Sequence, residues 1–174
     1  TAPSSGITSS NAIFIRQTDA TSRSIYVDNL SVTVNANTNH AADGSVDSSG
    51  SFATNWQDFD GGTGSTTESL ETTIIYDTSG SAQADTTANA NQGLRNNMTI
   101  TPSTSTQYLV SFYIYSSSTI TSNLAVGFLP AGGTSTPTGT AACSDYNTQS
   151  VTATTWTKIT CLFTTTGTTI TDPD

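Results

Sequence analysis

Apolar and polar residues alternate along this chain in short runs, each bounded by Gly, Asn, Asp, Ser or Pro. That period of two is the signature of antiparallel strands with one face buried. The clearest run is 107–116, where Val110, Phe112 and Ile114 point one way and Leu109, Ser111, Tyr113 and Tyr115 the other. The first set belongs in a core and the second faces outward. Comparable runs predict strands over 12–17, 24–34, 72–76, 123–129 and 157–164. In the last of these the inward set is Ile159, Cys161 and Phe163. The Gly-rich stretch after Asp60 and the Pro- and Gly-rich stretch after Leu129 predict turns and a long connection. Neither is long enough to separate domains, so residues 1–174 are expected to form a single all-β unit, an antiparallel β-sandwich.

Composition sharpens this picture. Thr and Ser supply 62 of the 174 residues, and β-branched Thr suits a half-solvated pleated face better than a helix, so almost no helix is expected. A net charge of -9 with a single lysine, Lys158, excludes nucleic acid and anionic membrane as partners, because phosphate binding requires clustered Lys and Arg. No run approaches the ~18 apolar residues of a membrane span. The absence of a leader at Thr1 fits a processed or excerpted product, and the expected location is extracellular or cell-surface. Cys143 and Cys161 are the two cysteines. An intradomain disulfide is the natural reading in an oxidising compartment, with two separate buried thiols as the alternative.

Residues 100–115, with a Pro-bearing turn leading into Tyr108, Phe112, Tyr113 and Tyr115, resemble a strand of the jelly-roll carbohydrate-binding modules of the family 4, 9 and 22 class. Residues 152–164, introduced by Trp156, resemble a late strand of the same modules. Those modules close with a strand of the pattern found here in residues 24–32, preceded by one like residues 12–16. The last two strands of the family therefore come first. Two arrangements satisfy this order. Residues 1–34 complete the chain's own sheet, as in a circular permutant, or they complete the sheet of a neighbouring copy while residues 39–174 are completed by the next. The second would place Ile13, Ile15, Ile25 and Val27 in another chain's core and propagate head to tail as a filament.

The resemblance also implies calcium. Asp28 occupies the position whose carboxylate helps hold a structural calcium, and Asp43 and Asp47 (with Gly44) would supply further hard oxygens. The Glu that usually accompanies this site is missing, since the chain reads Phe52-Ala-Thr-Asn-Trp, and the alternative is that Asp28 simply caps a strand or a bulge. Sugar binding requires exposed aromatic faces with amide or carboxylate companions. Tyr113 and Tyr115 share an outward face, and Trp56, Tyr76 and Tyr146 are further platforms, with Gln107, Asn123 and Asn147 as polar companions. Trp156 is matched to a core tryptophan of the family. Of two N-glycosylation patterns, at Asn29 and Asn97, only the latter lies outside a strong strand pattern. His40 stands alone and no carboxylate pair is set for hydrolysis, so no enzyme is expected. The expected function is a structural or adhesive surface module, a repeating filament subunit assembled by strand donation among copies of itself. The alternative is a self-contained module that binds a polysaccharide.

Overall fold

The computed structural model describes residues 12–34, 38–47, 49–60, 66–77, 79–100, 106–129 and 150–164. Within them lie eleven strands and one short helix: β1 (Ala12–Gln17), β2 (Ser24–Thr33), α1 (Ser49–Asn55), β3 (Trp56–Phe59), β4 (Thr67–Glu71), β5 (Ser81–Asp85), β6 (Gln92–Asn97), β7 (Gln107–Ser116), β8 (Ile120–Thr121), β9 (Leu124–Leu129), β10 (Ser150–Val151) and β11 (Thr157–Thr164). Two antiparallel sheets, β3-β6-β1-β9 and β11-β7-β2-β5-β4, form the layers of a sandwich, and β10 pairs with β8 in a small ribbon.

The alternation in β7 is realised as read. Val110, Phe112 and Ile114 are buried, and Tyr113 and Tyr115 are only partly so. They meet Ile25, Val27 and Val32 of β2, Ile159 and Cys161 of β11, and from the facing sheet Ile13, Ile15, Leu94, Leu124 and Val126, in one core cluster. Residues 72–76, expected to be a strand, are instead the turn between β4 and β5. The Glu71 carboxylate accepts the N–H groups of Thr72, Thr73 and Ile74, a local cap that outcompetes ladder pairing.

The first two strands settle into this chain's own sheets. β1 is flanked by β6 and β9, with Ile13 opposite Asn96 and Phe128. β2 is flanked by β5 and β7, with Val27 opposite Ala82 and Ile114. Ile13, Ile15, Ile25 and Val27 are buried in the chain's own core, the first of the two arrangements that the strand order allows. A strand paired along both edges has no unpaired ladder with which to recruit another chain.

The outsides of the two sheets differ. On the four-stranded sheet Phe14 stacks on Phe59 (ring centroids 5.2 Å) with the Arg16 guanidinium 5.0 Å from the Phe14 ring. The Phe14 ring abuts Gly127, where a Cβ would fall 2.7 Å from it. These rings are buried. The outside of the five-stranded sheet instead carries aromatic side chains that remain open to solvent.

Among the described residues no helix is long and apolar enough to cross a membrane.

Candidate functional site

The open face is built by parity. Val110, Phe112 and Ile114 of β7 and Ile159 and Cys161 of β11 enter the core, so Tyr113, Tyr115 and Lys158 project outward on neighbouring strands, with Lys158 directly opposite Tyr113. On β2, Tyr26 stands opposite Tyr115, and Asp28 opposite Tyr113. Trp156 immediately precedes β11 and lies beside Tyr115, ring centroids 5.6 Å apart. The Tyr76 ring, brought in by the β4–β5 turn, stacks on Tyr113 at 3.5 Å and meets Trp156 edge-on at 5.8 Å. Tyr26 packs edge-on against Tyr115 at 5.4 Å, and Lys158 Nζ sits 5.7 Å from the Tyr113 ring.

Exposure grades across this group. Tyr26 is buried at 7%, Tyr76 is 42% exposed, and Tyr113, Tyr115 and Trp156 lie between. The hydrogen bond between the Tyr76 and Tyr113 side chains, with some desolvation, raises the Tyr76 phenol above its ordinary value. Burial does the same for Tyr26. Both hydroxyls therefore stay protonated at neutral pH and remain hydrogen-bond donors.

Polar groups continue the face beyond the rings. Gln83 of β5 is opposite Tyr26, and Ser69 of β4 is opposite Gln83. The Ser69 hydroxyl donates to Gln83 Oε1 (3.3 Å), and Gln83 Nε2 donates to Asp85 Oδ1 (2.9 Å). A row Trp156, Tyr115, Tyr26, Gln83, Ser69 thus runs from the residue that leads into β11 across β7, β2, β5 and β4. At ~4.8 Å between strands it spans ~19 Å.

Two expected assignments exchange places. Trp56, expected as a platform, is fully buried, and its indole N–H donates to the Asp43 carbonyl (2.9 Å). Trp156, matched to a core tryptophan, stands on the outward face. The signal was available: Trp156 shares parity with Lys158 and Leu162, opposite to Ile159 and Cys161. Tyr146 and Asn147 lie outside the described residues. Gln107 is exposed at the far end of β7. Asn123 belongs to the β8–β9 corner, where its side-chain oxygen accepts from Thr18 (3.3 Å).

The residues assigned to calcium do not fit it. Asp28 is fully buried. Its Oδ1 accepts the Asn29 N–H (2.7 Å), and its Oδ2 accepts those of Tyr76 (3.0 Å) and Asp77 (3.3 Å). Burial raises its pKa and those three N–H groups partly offset the effect. Asp43 and Asp47 serve a separate loop, where Asp47 Oδ2 accepts the Ser45 hydroxyl (2.6 Å) and Asp43 Oδ1 the Asp47 N–H (3.4 Å). Gly44 packs its backbone on Leu30. Calcium needs six to eight converging oxygens, and among the described residues no three His, Cys, Asp or Glu side chains are gathered to hold a metal.

Elsewhere, Asp58 is pushed up to about 6, chiefly by burial and then by the charges of Glu68 and Asp60. Asp60 is committed to the Thr66 N–H (2.7 Å). Asn97 Nδ2 donates to the Thr54 carbonyl (2.7 Å). Cys161 is buried in the core and is not a free thiol, while Cys143 lies outside the described residues.

No family model, curated protein or solved structure matches this chain.

Proposed function

We propose that this chain is an extracellular carbohydrate-binding module, of the jelly-roll class its sequence resembles, that holds a polysaccharide on the outer face of its five-stranded sheet. One observation carries the reading: Tyr76, Tyr113, Tyr115 and Trp156 form a contiguous aromatic group left accessible on a sheet face. Aromatic groups of that size are normally buried, and an open one marks a binding surface. Its chemistry suits a pyranose, whose C–H face stacks on rings while its hydroxyls seek amides and phenols. Gln83, Ser69 and the tyrosine hydroxyls supply those partners, and the row from Trp156 to Ser69 offers length for several sugar units.

A filament built by strand donation has less to support it. Donating β1 or β2 would first require breaking two ladders on each strand. Attachment to a glycan-bearing surface keeps the adhesive role without exchange between copies.

Soluble glucans and xylans titrated into the protein test the reading. Trp56 is buried and Trp156 is not, so binding should perturb Trp156 fluorescence, and a Trp156→Phe variant should lose that response. Tyr113→Ala should weaken binding roughly tenfold, corresponding to ~1.4 kcal/mol of lost stacking. Unchanged fluorescence and no binding heat with any of these polysaccharides would refute the proposal.

A further inference from the structure

Asp28 is an acidic residue on the outward face of a sheet, where a carboxylate would ordinarily be solvated, and yet it is fully buried. What encloses it is the β4–β5 turn, which delivers the Tyr76 and Asp77 N–H groups to its Oδ2. Its other oxygen caps the Asn29 N–H, at a bulge where the β2–β7 register shifts and Asn29 takes φ 51°. Asn tolerates that left-handed conformation better than most residues. The bulge turns the Asn29 side chain so that Nδ2 donates to the Asp77 carboxylate (3.1 Å). The turn is also braced from its own side, because the Ser81 hydroxyl donates to the Ile74 carbonyl (2.7 Å).

Tyr76 therefore reaches Tyr113 on a turn tied to the β2 bulge by two bonds to Asp28 and one from Asn29. We propose that Asp28 is a positioning residue that latches the β4–β5 turn to the sheet and so sets the Tyr76 ring on Tyr113. The functional consequence rests on the carbohydrate-binding reading, whereas the latch itself does not. The position that suggested calcium from sequence thus becomes an anion held by three backbone donors. Charge-assisted hydrogen bonds of this kind are stronger than neutral ones. Amide for carboxylate at this position removes the charge and leaves one acceptor oxygen in place of two.

Hydrogen exchange on the intact chain, without any glycan, tests the latch. In the wild type the Tyr76 and Asp77 amides should be protected; rapid exchange at both overturns the proposal with no variant needed. In Asp28→Asn both should exchange at least ~10-fold faster while the core strands β2 and β7 keep their protection; unchanged protection of the two amides overturns it. Affinity for a soluble glucan or xylan then tests the consequence. Asp28→Asn should weaken binding about fivefold or more in the wild-type background and leave it unchanged in a Tyr76→Ala background. Equal losses in the two backgrounds would show that Asp28 does not act through Tyr76. Absence of glycan binding by the wild type defeats the carbohydrate reading alone, and the exchange comparison still decides the latch.

Discussion

Replacing Asp58 with Asn should stabilise the protein at neutral pH and flatten the dependence of its stability on pH. Asp58 lies on β3, an edge strand close to the edge strand β4 of the facing sheet. It is partly buried near Glu68 and Asp60, and Arg95 offsets only some of that repulsion. Its carboxyl is pushed from 3.8 up to about 6, so the folded state binds this proton more tightly than the unfolded state. The stabilisation associated with that proton is complete below pH ~4 and is lost as pH rises through ~6. Two units correspond to at most ~3 kcal/mol, and partial solvent screening reduces this to about 1–2 kcal/mol. For a chain of this length that is roughly 3–6 °C in Tm. Thermal unfolding of wild type and Asp58→Asn at pH 4.5 and pH 7.5 isolates the effect as a difference of differences. The variant should gain at pH 7.5 and gain little at pH 4.5. An equal change at both values would mean that Asp58 is not held in its charged state at a cost.

Gly93→Ala should be severely destabilising, because a Cβ would fall 2.1 Å from the Ile15 carbonyl oxygen; normal thermal unfolding would show that β1 does not pair with β6 in this chain. Ile15→Ala should cost about 2–5 kcal/mol by chemical denaturation, and a cost below ~1 kcal/mol would place Ile15 outside the chain's own core. A Cys143–Cys161 bridge should appear as a mass 2 Da below that of the reduced chain, and its reduction should cost about 2–4 kcal/mol; alkylation of either cysteine without reductant would rule it out. Chelation should leave Tm unchanged, since Asp28, Asp43 and Asp47 are engaged separately, whereas a fall of several degrees would restore a calcium site.

Where side-chain parity and β propensity agree, in β1, β2, β7, β9 and β11, the elements were legible from sequence. β4 (Thr67–Glu71), β5 (Ser81–Asp85) and β6 (Gln92–Asn97) were not. They are rich in Ser, Ala, Gln, Asn and charged residues and become strands because β2 offers a ladder to β5, β5 in turn to β4, and β1 to β6, a tertiary term that local propensity does not contain. Conversely, Thr72, Thr73, Ile74 and Tyr76 have strong β propensity and form a turn, because Glu71 caps the chain there. At the candidate site, the parity of β7 exposed Tyr113 and Tyr115 correctly. Trp156 was misplaced by following a family likeness over its own parity with Lys158. The burial of Asp28 was invisible, because it depends on a turn arriving from 48 residues away.

The same alternation that builds the core also builds the platform, and this constrains how the two can vary. β7 contributes Phe112 and Ile114 to the interior and Tyr113 and Tyr115 to the open face, so neighbouring positions on one strand carry separable properties. Truncating Phe112 removes a fully buried ring and should cost about 3–5 kcal/mol of stability. Truncating Tyr113 removes a ring whose neighbours are Tyr76 and Lys158 on the outside; its stability cost should be well under half of that, because solvent or a repositioned Tyr76 fills the space. The affinity losses should run in the opposite order for any variant that still folds. A one-residue slip of β7 against β2 would exchange the two sets completely. The positive-φ bulge at Asn29 shifts that register by one between Asp28 and Ser31, and so moves the inward parity of β2 from Ile25 and Val27 to Leu30 and Val32.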